Sequence, residues 1–278
     1  MRAIHLALAI LLAPHVLAED SMYVFGARIA ADSADAVSVD ALFDYAFSEA
    51  TSLSADAGLT RADSDRDSLE FVEWGVGGEH DFGPVGVRAS LGQWGDRDEF
   101  SSDNASAGLF RDFGRWRVSA GYLWRDFDLT FRALTDATQS RSATARATGV
   151  DINVLYTGES GYSLFVDASR LDYNRDVARL GQLSIARLLS PSSLTLSGNL
   201  LDHSLSAGAE WPIGERALSL TLSRDRTAVE QTDVDSLLIN WLMPIGDRSD
   251  IDIGVGVSRD DDDTQYFLSV LFLRYGGI

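Results

Sequence analysis

Apolar and polar residues alternate one for one along most of this chain. In residues 250–258, isoleucine and valine alternate with aspartate, glycine and serine, and residues 217–223 and 150–156 show the same pattern. An amphipathic helix would place its apolar residues three and four positions apart, whereas the side chains of a strand alternate between two faces. The sequence therefore predicts an all-β fold whose strands are apolar on one face and polar on the other.

Short and long turns alternate between these segments. The short turns carry glycine, proline and small polar residues, as in 158–161, and the long connections are rich in polar residues, as in 95–103 and 127–143. This alternation is typical of an antiparallel up-and-down β-barrel that crosses a membrane, with short periplasmic turns and long extracellular loops.

The predicted strands number sixteen, and most are close to the roughly 9–11 residues that a tilted membrane strand needs. Residues 174–201 alternate poorly, so fourteen strands result if one hairpin there is a loop. The predicted strands are 22–30, 36–47, 51–61, 69–80, 84–94, 104–112, 115–126, 145–157, 161–172, 178–189, 193–201, 203–211, 215–225, 234–243, 250–259 and 265–274.

The apolar faces are too extensive to point inward. Sixteen strands closed around their hydrophobic sides would enclose more space than the side chains could fill, so we expect the apolar face to meet lipid and the polar face to line a lumen. A mean hydropathy of −0.03 is compatible with this arrangement, because the two faces cancel. Aromatic residues fall on the apolar phase, many near strand ends, as expected for interfacial girdles: Tyr23, Phe43, Tyr45, Phe47, Trp74, Trp116, Tyr122, Trp124, Tyr156, Tyr162, Trp211, Trp241 and Tyr266. A soluble β-sandwich with these aromatics in its core is the alternative.

The first eighteen residues read as a cleavable secretory signal. A short basic start precedes an apolar stretch too brief to span a bilayer, and small residues precede Glu19 and Asp20. We therefore expect a signal peptide at 1–18 and a barrel at 19–278, with no further domain boundary. The chain carries 42 acidic and 23 basic residues, for a net charge of −19, which argues against binding nucleic acid.

In this architecture the chain resembles the bacterial (Gram-negative) outer-membrane β-barrel proteins, specifically the porin-like ones. The resemblance implies a transmembrane channel in the outer membrane, exported across the inner membrane and inserted by the barrel-assembly machinery. It also implies contact with outer-membrane lipid and lipopolysaccharide, and it leaves open a homotrimer. The expected function is passive diffusion of small polar solutes or ions, without a cofactor or covalent chemistry.

The polar phase supplies candidate pore-lining residues. They are Arg28, Asp40, Asp44, Asp56, Glu73, Arg88, Arg117, Arg125, Asp151, Asp167, Glu210 and Asp252. Acidic residues outnumber arginines there, so we expect a weak preference for cations. In the alternative, arginines and carboxylates pair and merely brace the barrel. A loop folded inward could narrow the lumen, and 127–143 is a better candidate for it than the short 95–103.

Two further features at the expected extracellular rim invite a functional reading. The run Asp260, Asp261, Asp262 and Asp263 could bind a surface divalent cation, although a solvated acidic loop explains it as well. His203 lies between Asp202 and Ser204, but neighbouring strand residues face opposite ways and cannot form a triad by themselves. A non-conducting barrel with a structural, adhesion or envelope-integrity role, and an outer-membrane hydrolase, therefore remain the alternatives to a channel.

Overall fold

The computed structural model describes residues 22–63, 68–96, 100–133, 136–174, 201–228, 231–260 and 263–277. These residues form a closed, fully antiparallel β-barrel of fourteen strands. The strands are β1 (Met22–Asp32), β2 (Ala36–Ser48), β3 (Thr51–Asp63), β4 (Ser68–Asp81), β5 (Gly86–Asp96), β6 (Phe100–Phe113), β7 (Trp116–Ala133), β8 (Asp136–Thr157), β9 (Ser163–Tyr173), β10 (Leu201–Ile213), β11 (Arg216–Thr227), β12 (Asp233–Gly246), β13 (Ser249–Arg259) and β14 (Thr264–Gly277).

Each strand pairs with its neighbours in sequence, and β1 pairs with β14 to close the barrel. The predicted up-and-down barrel is confirmed, with the smaller of its two predicted strand numbers. Fourteen strands suffice because β9 pairs directly with β10, from Ser163 opposite Glu210 to Arg170 opposite His203. The predicted strands 178–189 and 193–201 lie outside the described residues, apart from Leu201 at the start of β10. The predicted signal peptide at 1–18 also lies outside them.

The end of the barrel where β1 begins and β14 ends is called the proximal end here, and the opposite end the distal end. Six short connections join strands at the proximal end, at the positions predicted for short turns. Two of them are two-residue turns that begin with glycine in the left-handed region, Gly114 (φ 65°) and Gly214 (φ 66°). Glycine adopts this conformation without the steric cost that a Cβ would add.

The long distal loops expected from the sequence are largely strand. β7 and β8 have 18 and 22 residues, and they pair as far as Ala133 opposite Asp136. The expected inward-folded loop at 127–143 is therefore wrong, since its described residues extend this hairpin. The other candidate, 95–103, is likewise mostly strand, with Asp96 opposite Phe100. The sequence predicts a loop in these segments because their side chains are mostly polar and no longer alternate with apolar ones. The backbone pairing nevertheless continues through them.

The two faces of the wall differ in chemistry along its whole circumference. Every strand carries at least one large hydrophobic side chain that is exposed on its outer face, for example Ile29 on β1, Val39 on β2 and Leu222 on β11. On the inner face, a small cluster of buried apolar residues lies beside the β1–β14 pairing. It consists of Val24, Leu42, Leu271 and Leu273. Among the described residues no helix is long and apolar enough to cross a membrane.

Candidate functional site: the inner wall of the barrel

The register places all twelve predicted lumen residues on the inner face. Residues directly opposed in an antiparallel ladder share a face, so the assignment can be followed from strand to strand. Arg28 lies opposite Asp40, Asp40 opposite Gly58, and Gly58 opposite Glu73. The same procedure reaches the other nine: Asp44, Asp56, Arg88, Arg117, Arg125, Asp151, Asp167, Glu210 and Asp252.

Arg28 and Asp40 form an ion pair between the adjacent strands β1 and β2. Arg28 donates from Nε (2.9 Å) and Nη2 (2.7 Å) to Asp40 Oδ2, and Asp40 is buried. Ser38 lies two residues from Asp40 and its hydroxyl donates to the same oxygen at 3.5 Å. A doubly donated pair of this kind fixes the arginine along the wall.

Arg88 spans two strands to reach its partner. It lies on β5, and its Nη2 donates to Asp151 Oδ2 on β8. The intervening strands β6 and β7 present Gly108 and Gly121 at this level of the register. A Cβ at Gly108 would fall 3.0 Å from Arg88 Nε, and one at Gly121 would overlap Asp151 Oδ1. The two glycines therefore provide the flat floor that allows this long-range ion pair.

Arg117 makes a second long-range contact at the proximal half of the same wall. It lies on β7, and its Nη2 donates to Glu79 Oε2 on β4 at 3.1 Å. On the way its guanidinium stacks over the ring of Phe110, 3.9 Å from the centroid. The Phe110 ring in turn lies over Gly86, where a Cβ would overlap it. Cation–π stacking and the ion pair together hold Arg117 against the wall.

Arg125 completes the set of inner arginines, and its Nε donates to Asn104 Oδ1 at 2.6 Å. Each of the four predicted arginines thus contacts a carboxylate or an amide of the barrel. Three of the four partners are carboxylates, and the contacts run along the wall between β1 and β2 and between β4 and β8. These ion pairs join nearby strands and so stabilise the wall, and none of the three connects opposite sides of the barrel.

The remaining carboxylates are distributed differently. Inward positions of β9 to β14 that the structure describes hold Asp167, Glu210, Asp225, Asp250 and Asp252 but no arginine. We call β9 to β14 the acidic wall. Tyr275 donates its hydroxyl to Asp250 at 2.9 Å, whereas no described cation lies within ion-pair distance of Glu210 or Asp252. The inner face of β2 to β4 also holds Asp44, Asp56 and Glu73, so carboxylates line both sides of the barrel. The acidic wall differs in that its described inward positions hold no arginine.

Aromatic residues on the inner face were missed in the sequence. Phe71 and Trp94 stack in parallel, with ring centroids 5.4 Å apart and an interplanar angle of 6°, and Phe127 follows two strands further on. All three point inward in the distal half. Trp94 has the same parity as Arg88 on β5, so the alternation could have identified it as an inner residue.

Outer-face aromatics collect near the proximal turns. Trp116 and Tyr156 pack with ring centroids 4.7 Å apart, and Tyr162 lies 5.9 Å from Tyr156. In the adjoining turns Arg115 donates to Glu159, and this hydrogen bond raises the pKa of the Arg115 guanidinium. An aromatic and charged edge of this kind is what the girdle hypothesis predicts.

The other candidate sites have simpler environments. Asp260 Oδ1 accepts a hydrogen bond from the backbone N–H of Asp263 at 2.6 Å, which stabilises the distal turn between β13 and β14. Asp261 and Asp262 lie outside the described residues. The described residues contain no group of three or more acidic or histidine side chains placed to share a metal ion. The proposed surface cation site therefore stays a prediction.

The two histidines of the barrel lie at opposite ends. His80 contacts Thr51 at the proximal end, with 2.7 Å between Nδ1 and Oγ1. His203 lies at the distal end with its Nδ1 3.6 Å from Asp202 Oδ2. His203 is opposite Arg170 and Arg226 on the outer face, whereas Ser204 faces inward. Residues 202–204 consequently do not assemble into a triad.

No protein-family model matches the chain, and no curated protein matches it in sequence. Solved structures do match the fold. The monoaromatic hydrocarbon channel CymD superposes with a TM-score of 0.57 at 10% identity, covering 94% of this chain and 89% of that one. A loop L8 deletion mutant of OmpT, an outer membrane protein of Vibrio cholerae, gives a TM-score of 0.51 at 10% identity, covering 92% and 98%. The chain thus shares the β-barrel fold of these two proteins.

Proposed function

We propose that this protein is an outer-membrane barrel whose lumen passes small polar solutes or ions by diffusion, with a preference for cations. The observation that carries the proposal is the opposite sorting of side chains in a closed barrel. Exposed apolar residues cover the outer face, while arginines and carboxylates occupy the inner one. A soluble barrel would need the reverse arrangement.

The size of the outer apolar surface supports a lipid environment. Fourteen strands spaced about 4.8 Å apart and tilted by about 40° give a backbone radius of about 14 Å. An apolar band about 25 Å tall around that cylinder covers on the order of 2,000 Å². Typical soluble monomers expose apolar patches of only about 300–600 Å². Such a band would drive aggregation in water but is stable in a bilayer.

The same radius supports an open lumen. Eight-stranded barrels are just filled by their side chains, and the interior widens with every added strand. At about 14 Å of backbone radius, side chains extending about 6 Å inward leave space for water and small solutes. The acidic wall adds negative charge, and its described inward positions hold no arginine, which favours cations over anions in a low-dielectric surrounding.

The orientation follows from the connections. We infer that the proximal end faces the periplasm, because the β7–β8 hairpin extends far beyond its neighbours at the distal end, as extracellular hairpins do, and both ends of the barrel strand order lie at the proximal end. Export by a cleaved signal at 1–18, insertion by the barrel-assembly machinery, and contact with lipid and lipopolysaccharide belong to the same proposal.

Planar-bilayer recording tests this function. The purified protein is expected to give single-channel openings and, in a KCl gradient, a reversal potential of the sign that cation preference requires. Replacing Glu210→Gln together with Asp252→Asn is expected to move that potential toward zero, while Asp235→Asn, an exposed outer-face control, leaves it unchanged. A folded protein without openings would support the non-conducting barrel instead, and anion preference would refute the role of the acidic wall.

Two further measurements address the remaining alternatives. Membrane fractionation and a heat-modifiable shift on gels distinguish an outer-membrane barrel from a soluble periplasmic β-protein. Peptide or lipid hydrolysis that is lost in His203→Ala would favour the hydrolase.

A further inference from the structure

A continuous row of small polar side chains crosses the inner face of seven consecutive strands. Each member lies directly opposite the next in the ladder, and none of the seven strands interrupts the row. We call it the polar row. Its members are Ser119 on β7, Asn153 on β8, Asp167 on β9, Ser206 on β10, Ser223 on β11, Ser236 on β12 and Ser258 on β13.

The polar row climbs the lumen. Ser119 lies near the proximal start of β7, whereas Ser258 lies near the distal end of β13. Because a ladder runs perpendicular to strands tilted by about 40°, each step of about 4.8 Å rises about 3 Å along the barrel axis, or roughly 18 Å over six steps. A solute that moves along this row would therefore traverse much of the bilayer thickness.

Two carboxylates lie at the middle of the row: Asp167 is a member of it, and Asp225 lies beside the member Ser223. Asp167 is 7% exposed, and its Oδ1 accepts a hydrogen bond from Asn153 Nδ2, but its Oδ2 has no hydrogen-bond partner among the described residues. Asp225 is also 7% exposed and lies two residues from Ser223 on the same face. Ser204 and Ser223 hydrogen-bond to its carboxylate, but Oδ1 has no partner among the described residues. Ser204 and Ser206, on the intervening strand β10, lie between the two carboxylates.

No described cation neutralises this pair. The inward positions of β9 to β11 hold no arginine, and Arg88, the arginine that approaches from the opposite side of β8, is engaged by Asp151. Buried carboxylate oxygens without donors are costly unless a cation or a hydrogen-bond donor satisfies them. An ammonium group of a solute would supply both the charge and the donors that these oxygens lack.

The spacing decides what kind of cation fits. Asp167 and Asp225 lie on strands separated by one strand and are offset by two residues along them, so their backbones are about 12 Å apart, too far for both to ligate one metal ion at about 2.0–2.6 Å. An ammonium group offers three N–H donors and can satisfy one carboxylate together with a serine hydroxyl. Two ammonium groups on one flexible molecule can satisfy both carboxylates.

We propose that Asp167, Asp225 and the serines between them form a binding site for solutes with primary ammonium groups, and that a linear diamine engages both carboxylates. This deepens the channel function proposed above and rests on it. The polar row supplies hydroxyl groups on either side of the site, so that the solute exchanges one set of hydrogen bonds for another as it moves.

Block of single-channel current by 1,6-diaminohexane tests the site, with hexylamine and 1,6-hexanediol as probes with one ammonium group and none. The diamine is expected to bind more tightly than hexylamine, and the diol to leave the current unchanged. Asp167→Asn and Asp225→Asn should each weaken the diamine about tenfold, because each removes one charge-assisted hydrogen bond. Asp172→Asn removes the same charge from the outer face of β9 and is expected to leave block unchanged.

The outcomes separate this site from the channel itself. A folded wild-type protein without openings overturns the channel function and the site together. Openings in KCl with equal effects of diamine and diol overturn the site alone, and this comparison needs no variant. Diamine block that survives in both asparagine variants, or falls equally in Asp172→Asn, likewise overturns the assignment to Asp167 and Asp225.

Discussion

Replacing Leu220 by arginine tests which face of the wall meets lipid. Leu220 points outward on β11, opposite Ala209 and Ile239, which are apolar as well. If this face lies in the bilayer, the substitution buries a guanidinium in hydrocarbon and destabilises the barrel. If the face were in water, replacing this half-buried surface leucine by arginine would cost little.

The magnitude follows from the depth of the residue. Arg216 and Arg224 are outward residues four positions to either side of Leu220. At about 3.3 Å per residue and a tilt of about 40°, each lies about 10 Å from Leu220 along the barrel axis. Leu220 is therefore near the centre of an apolar band about 25 Å tall, where arginine costs about 2–4 kcal/mol of folding free energy. At Leu218 or Leu222 the cost should be smaller, about 1–2 kcal/mol.

Reversible folding into phospholipid vesicles measures this cost. Denaturant titration followed by tryptophan fluorescence gives the free energy of unfolding, and the heat-modifiable gel shift reports the folded fraction. Ser219→Arg is the matched control, since it places the same side chain one residue away on the inner face beside Glu210, where a cation has a partner. A Leu220→Arg cost no larger than that of Ser219→Arg would refute the assignment of the outer face to lipid.

Two further substitutions test the inner wall. Trp94→Ala removes an inward aromatic ring and is expected to raise single-channel conductance, whereas Trp74→Ala on the outer face of the neighbouring strand should leave it unchanged; equal conductance in both variants would contradict the inner assignment. Gly121→Ala places a Cβ on Asp151 Oδ1 and is expected to cost about 1–3 kcal/mol in denaturant titration by displacing that carboxylate from Arg88. Unchanged stability would mean that the glycine floor is unnecessary.

The face of the barrel wall on which each side chain lies could be predicted from the sequence. The alternation of apolar and polar residues is visible within a single strand, so the partner strands need not be known. Arg28 and Asp40 illustrate this: each is flanked directly on both sides by apolar residues, and the structure places both on the inner face as an ion pair. The short proximal turns were predictable for a similar reason, since glycine in positive-φ positions marks them locally.

Long-range partners could not be predicted in this way. Arg88 and Asp151 are 63 residues apart and lie three strands from each other, and their contact depends on glycines contributed by two further strands. The ends of the strands could not be predicted either. The hydropathy pattern shows where apolar side chains stop alternating with polar ones, and not where the backbone hydrogen bonding stops. Residues 127–133 therefore read as loop although they extend β7.

The pattern of pairing determines how the inner charge acts. An arginine that neutralises a carboxylate beside it contributes little field in the lumen, and this is the arrangement of Arg28 with Asp40, Arg88 with Asp151 and Arg117 with Glu79. The described inward positions of the acidic wall hold no arginine, since Arg170, Arg216 and Arg224 of these strands face outward. The field of β9 to β14 is therefore not offset by an arginine of the same inner wall. In the proposed channel, cation preference and hydrogen bonding to the solute would act together on this wall, which also carries most of the polar row, while the arginine–carboxylate pairs brace β1 to β8.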